Sequence, residues 1–482
     1  MTVPSKTYYV SSLHGSADFD GLTPQTPFLH PAQVSALSLQ PGDKVLLERG
    51  SVFTGEFLHL KNCGDIAGAP IEIGAYGTGD ALPCIAANGT GVWYQDYGTP
   101  LDFDGHVYRG EVSSAVLLYD VENIVLRDLE ITNDAPFTDL ESYCAADKMD
   151  RTGVAVVARD RGTLHSITLT GLFVHDVKGN VYNKHMNNGG IYMTALTPAD
   201  EAKTGVARYD GVTVENCMVQ QVSRWGIAVG YSYRHRDFAA KELAEDAFLK
   251  YGHENITLRG NYVVAAGGDA ITPMYALRPL VEHNTADSCA FEMNDRYYKY
   301  PGKRQGKVAA AIWPWKCKDA LLRYNDVADT KLNQDGMAYD ADSGDGTVYE
   351  YNYSAYNEGG AMMFCLGEAV HSTYRHNVSY RDLGGVLSPA GNPDGLVEGN
   401  TFYMEPGVPL RRKRNHGKMK LVNNTVVPAD SKEDCGNKLW QTERAESPSP
   451  PTWMWCLRPK KLWSAGAQTP CVTATAQSSP RS

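Results

Sequence analysis

The feature that most constrains this chain is a recurring decapeptide-scale pattern. It runs apolar–x–apolar, a charged residue, a small or aromatic residue, often Asn, then more β-formers. It appears as NIVLRDLEIT, SITLTGLFV, GVTVENCMV, NITLRGNYVV, RPLVEHNTA, ALLRYNDVA, TVYEYNYSA, STYRHNVSY, GLVEGNTFY and KLVNNTVV. Taking one landmark per copy gives Leu129, Leu172, Cys217, Asn261, Asn284, Asn325, Asn352, Asn377, Asn400 and Asn424, spaced 43, 45, 44, 23, 41, 27, 25, 23 and 24 residues apart. A unit of 23–27 residues made of short β-segments and turns is one coil of a right-handed parallel β-helix. The near-doubled steps are coils carrying insertions. A leucine-rich solenoid would repeat leucines instead, and a propeller would need longer, more uniform periods.

Two columns support stacking. The last seven landmarks are all Asn, a residue that tolerates a left-handed corner and whose amides can bond along an axis. Two positions earlier stand Arg259, Glu282, Arg323, Glu350, Arg375 and Glu398, so neighbouring coils present opposite charges. We therefore expect an all-β chain with one β-helix domain over 1–430. Its segment of about 6–50 forms an N-terminal cap holding the short amphipathic helix PAQVSALSL. After Ala429 the pattern stops, and 431–482 read as a poorly ordered tail.

Composition narrows the partners. A net charge of −11 without a basic stripe argues against nucleic acid. The run Arg411-Arg412-Lys413-Arg414 reads as an exposed turn between repeats, with a nuclear signal or a polyanion patch as the alternative. No window approaches the apolar length of a membrane span, and the N-terminus MTVPSKTYYV has no apolar signal region. A cytoplasmic location is expected, or an extracellular one if a signal has been removed. The ten cysteines are scattered without CxxC or zinc spacing, so free buried thiols are expected.

The insertions 134–153, 181–193, 232–254 and 291–316 suit the walls of a cleft and are rich in Tyr, Trp, His, Asn and Arg. Trp313, Trp315 and Tyr298 are candidate sugar contacts, with packing of the Trp pair against the solenoid as the alternative. His235 is a candidate base or substrate contact, with a surface histidine as the plainer reading. The oligomeric state is not legible.

Beside these loops lies QDGMAYDADSGDG, with Asp335, Asp340, Asp342 and Asp345. It fails the helix–loop–helix calcium motif, because Asp345 stands where the glycine belongs and Tyr351 where the glutamate belongs. Calcium held between coils stays open; no organic cofactor or other metal is implied. Asp345 fits a polar turn. Asp340 and Asp342 sit in a strand-like run where aspartate is disfavoured, on one face and about 6.6–7 Å apart at the backbone. Asp335 enters from the adjacent corner. Paired carboxylates at several ångströms are what glycoside hydrolysis uses, one protonated and one ionised.

The run DGMAYDADSG…VYEYNYSAYNEGGAMMFC resembles a stretch of β-helix glycoside hydrolases of the lacto-N-biosidase type. The resemblance implies release of a disaccharide from oligosaccharide ends with retention, by two aspartates seven residues apart, matched by Asp335 and Asp342. A β-helix xylosidase family offers a second mapping, Asp335 as nucleophile and Glu358 as acid/base; beside the Asp335–Asp342 pair, Asp340 and Glu358 are the supporting or alternative carboxylates. The pectate-lyase and polygalacturonase runs are absent. The alternatives are a calcium-dependent polysaccharide lyase or epimerase on the same fold, and a non-catalytic carbohydrate-binding solenoid.

Overall fold

The computed structural model describes residues 4–101, 106–135, 141, 149–299, 306–332, 334–412 and 416–429. The expected tail, 431–482, and much of the 134–153 insertion lie outside the described residues. Most coils contribute one strand to each of three sheets, and these strands pair in parallel with their equivalents in the next coil; Val92–Asp96 is an exception, pairing antiparallel with Arg109–Tyr119. A 13-stranded sheet starts at Thr7–Val10 and ends at Lys420–Val422, and a 12-stranded sheet runs from Val52–Thr54 to Thr425–Val427. The third sheet holds a 7-stranded part ending at Ile271–Pro273 and a 3-stranded part from Met337–Asp342 through Gly360–Cys365 to Leu387–Ala390. Single bridges Ile271↔Ile312 and Ile312↔Tyr339 join the two parts. The result is a parallel β-helix, right-handed as parallel crossovers are. No helix of the described residues is long and apolar enough to cross a membrane.

Strand alternation explains the core. In coil after coil the middle residue of a three-residue strand points inward, as with Val281, Leu322, Tyr349, Tyr374 and Val397. These stack into one continuous apolar cluster along the axis. Its N-terminal end is covered by the helix Pro31–Ser35, which buries Pro31 and Val34 against the strand Leu58–Lys61. The strands Thr7–Val10 and Lys44–Glu48 on either side of it pair in parallel and open the 13-stranded sheet.

The asparagine column is a hydrogen-bond ladder. Each Nδ2 donates to the next Oδ1, from Asn261 through Asn284, Asn325, Asn352, Asn377 and Asn400 to Asn424, at 2.9–3.0 Å. Each Nδ2 also donates to a strand carbonyl, as Asn352 does to Leu322 at 2.9 Å. One expectation needs correction. The left-handed residue at this corner is not the Asn but the residue before it: Gly260, His283, Tyr324, Tyr351, His376, Gly399 and Asn423 all have φ between 51° and 63°. The preceding residue makes the turn so that the amide can point inward and stay buried. The turn residues then stack outside, with ring centroids of Tyr324–Tyr351 at 5.5 Å and Tyr351–His376 at 5.4 Å. The charge column also pairs across coils, as in Arg323–Glu282 at 2.9 Å and Arg375–Glu350 at 2.6 Å.

The insertions flank the third sheet on both sides. Residues 181–188 and 288–310 connect the second sheet to the third, and 233–253 lead from the third back to the first. That sheet's outer face is therefore the walled one.

Candidate active site

The strand Met337–Asp342 alternates as its sequence requires. Tyr339 and Ala341 enter the core, while Asp340 and Asp342 face outward. Register sets their neighbours: Met363 lies beside Asp340 and Cys365 beside Asp342 in the next coil. In the preceding coil the bridge Trp315↔Asp342 brings the Trp313–Trp315 segment alongside. Asp335 sits at the corner that feeds this strand. Gly336, with φ +68°, makes the turn, and its N–H donates to the Ala309 carbonyl at 3.0 Å. The next coil must pass directly beneath: a Cβ on Gly359 would meet the Asp335 carbonyl at 1.8 Å. That clash accounts for glycine at this column.

The three carboxylates differ in environment. Burial pushes Asp335 up to about 6; Lys184 and Arg412 oppose the rise, while Asp342 and Asp269 add to it. Asp340 is 4% exposed and is held well above the usual carboxylate range by burial, then by Asp342 and Asp335. Asp342 is also raised by burial. Its anion is helped by the Ser343 hydroxyl, which donates to Oδ1 at 2.6 Å, and by Lys184 and Lys316. Repulsion among the three buried carboxylates favours two protons on the set and one retained anion.

Lys184 is the cation common to all three. Its Nζ lies 5.0 Å from the Trp313 ring centroid and 5.9 Å from that of Trp225. The Lys184 carbonyl accepts the Trp225 indole N–H at 2.6 Å, fixing the loop beneath the ammonium. Behind it, Arg224 and Asp269 form an ion pair at 3.3 Å with both side chains fully buried. Asp269 Oδ1 accepts the Trp313 indole N–H at 2.9 Å and the Ala310 N–H at 3.1 Å. Sequence reasoning missed Lys184, Arg224 and Asp269. The loop around Lys184 was legible as an insertion, but nothing in it singles out the lysine. Nothing in the stretch Gly267-Gly268-Asp269 singles out the aspartate either.

The remaining candidates divide. Trp313 and Trp315 adjoin the carboxylates, yet both are buried. Trp313 lies under Lys184 with its N–H spent on Asp269, so packing describes it better than an open sugar platform. Trp315 stacks on His185 at 5.5 Å and meets Tyr231 at 5.7 Å and Tyr275 at 5.6 Å. Tyr298 is buried in a separate small cluster, edge-on to Tyr182 at 4.8 Å, and presents no open face. His235 is neither a surface histidine nor an accessible base: it is 1% exposed, stacked near Tyr231, with Nδ1 at 3.3 Å from the Ser232 carbonyl. Glu358 is half-exposed; it accepts from Leu332 N at 2.7 Å and lies 3.5 Å from Lys331, which weakens its role as acid/base. Asp345 is more than a turn. It accepts from Leu243 N at 2.9 Å and pairs with Lys318 at 3.1 Å and His371 at 2.9 Å, tying the 232–254 insertion to the solenoid.

Among the described residues one group of metal-type donors comes together, Asp340, Asp342 and Cys365. Two oxygens and a sulfur differ from the all-oxygen cage that calcium takes.

Comparison with known proteins agrees with this architecture. No family model matches the chain. It is 40% identical over 466 residues to a lacto-N-biosidase of Bifidobacterium longum subsp. longum, a match covering 89% of this chain and 29% of that protein. The chain thus spans under a third of the length of that relative. Native and selenomethionine crystal structures of GH136 lacto-N-biosidase from Eubacterium ramulus superpose with a TM-score of 0.85 at 57% identity, covering 88% of this chain and 68% of theirs. With 57% identity over 88% of the chain and a shared fold, this chain belongs to the GH136 lacto-N-biosidase family.

Proposed function

We propose that the chain is a glycoside hydrolase acting on oligosaccharides, releasing a disaccharide of the lacto-N-bioside class from their ends with retention. The single observation that carries this reading is the carboxylate group on the walled face, where environment separates Asp335 from Asp342. Asp335, with its proton held to about pH 6, is the acid/base. It protonates the departing glycosidic oxygen and later deprotonates water. Asp342, hydrogen-bonded by Ser343 and faced by Lys184 and Lys316, is the carboxylate nucleophile. It attacks the anomeric carbon and forms the glycosyl-enzyme that water then resolves. Asp340, kept protonated by its burial and its two neighbours, is suited to hydrogen-bond a sugar hydroxyl or amide rather than to carry charge. The names of the relatives support the sugar class, and the spacing of Asp335 and Asp342 supports the roles.

The test is hydrolysis of a lacto-N-bioside aryl glycoside and a panel of other aryl glycosides. The anomer first released is followed by proton NMR. An initial product with the substrate's anomeric configuration supports retention. Inversion would move Asp342 from nucleophile to base, and an unsaturated sugar product would point to a lyase instead.

A further inference from the structure

Cys365 is the one cysteine among the described residues that is not buried; Cys63, Cys84, Cys217, Cys289 and Cys317 all are. Strand register sets it directly beside Asp342, one coil away, on the same outward face. One donor atom from each of Asp340, Asp342 and Cys365 lies within 4.8 Å of the others. A tetrahedral zinc with Zn–S of about 2.3 Å and Zn–O of about 2.0 Å needs a sulfur–oxygen separation of about 3.5 Å, within reach of small side-chain rotations. A second observation points into the same spot. Asp340 is buried, and its Oδ1 has no hydrogen-bond partner, which leaves a buried carboxylate oxygen with unmet bonding capacity. Asp342 has one oxygen committed to Ser343 and a second to offer.

We propose that Asp340, Asp342 and Cys365 form a site for a thiophilic divalent cation of the zinc and cadmium class on the outward face of the third sheet. The sulfur selects against magnesium and calcium, which prefer oxygen alone. The two carboxylates supply the charge, and water takes the fourth position. Binding releases two protons to solvent, the Cys365 thiol proton as the metal–sulfur bond forms and the Asp340 carboxyl proton as the metal–oxygen bond forms. The ion occupies Asp342, so it competes with substrate and stops hydrolysis. That inhibition rests on the reading of Asp342 as a catalytic carboxylate, whereas the binding does not.

The experiment titrates the metal-free full chain with Cd2+ and follows the ultraviolet thiolate-to-cadmium charge-transfer band, in wild type and in Cys365→Ser. A band saturating near one equivalent in wild type and missing in Cys365→Ser supports the site. A band of equal size in both proteins, or none in wild type, overturns it. Asp340→Asn, which keeps the thiol, weakens Cd2+ binding at least tenfold if the carboxylate is a ligand; unchanged affinity overturns the set. Zn2+ inhibition is read in parallel, each protein against its own metal-free rate, with the midpoint raised at least tenfold in Cys365→Ser. A Cys365-dependent band without inhibition keeps the metal site and removes Asp342 from the chemistry, so the two readings fail separately.

Discussion

Replacing Asp335 by Asn should abolish activity and, at neutral pH, stabilise the fold. The shift from 3.8 to about 6 means the folded state disfavours the ionised carboxyl. At about 1.36 kcal/mol per unit, a rise from 3.8 to about 6 is a cost of about 3 kcal/mol, and about half that once partial exposure to solvent is allowed for. The sign follows from linkage: a raised folded-state pKa contributes no penalty below the unfolded value of 3.8, and the penalty grows as pH rises toward about 6 and is constant above it. Asn at this position is never charged. Its stability advantage should therefore be absent near pH 3.5, appear between about pH 4 and 6, and level off above. Urea unfolding of both proteins at five pH values from 3.5 to 8 measures the difference. Over the same range kcat should fall by roughly 10²–10⁴-fold, as expected for loss of a general acid. A stability difference that is flat with pH would refute the burial argument. Activity within tenfold of wild type would refute the role of Asp335.

Other parts of the structure give sharp expectations. Asn352→Ala removes the Oδ1 that accepts from Asn325 and the Nδ2 that donates to the Leu322 carbonyl and to Asn377 Oδ1, which keeps only the residue-352 backbone N–H, and should cost about 2–4 kcal/mol in urea unfolding. Arg224→Met strands Asp269 as a buried charge and should cost about 3–5 kcal/mol, whereas an Arg→Met change on the outer charge column, such as Arg375→Met, should cost under about 1 kcal/mol. Asp345→Asn should loosen the 232–254 insertion, seen as faster limited proteolysis there with the solenoid intact. Because its partners hold Asp345 below the ordinary carboxylate value of 3.8, that protection is present above pH 3.8 and is lost as pH falls below it.

The solenoid was legible because each coil repeats the same solution to one problem. The inward position of every strand must be apolar, and the corner must turn and still satisfy its amides, so Asn recurs at a fixed phase. The repeat did not reveal that the residue before Asn takes the left-handed conformation, because Gly, His, Tyr and Asn all serve there. Asp340 and Asp342 were readable as a pair because strand alternation is strict. Asp335 was placed at a corner because it stands just before that strand. Lys184, Arg224 and Asp269 were not readable, because they reach the site from insertions or from neighbouring coils whose phase the repeat does not encode. The same holds in reverse for His235 and Tyr298. Their residue types suit sugar binding, but loop packing buries them, and burial inside an insertion has no periodic signature.

The central claim is that Asp335 and Asp342 act together as acid/base and nucleophile on a glycosidic bond. Its most direct measurement is pre-steady-state turnover of a lacto-N-bioside aryl glycoside by wild type, Asp335→Asn and Asp342→Asn, with azide added as an external nucleophile. Asp335→Asn, given a good leaving group, should still form the glycosyl-enzyme, and azide should rescue its turnover with retained configuration. Asp342→Asn should form no intermediate and, if azide rescues it, yield the inverted product. Full turnover by either variant, or the same azide product from both, would contradict the claim.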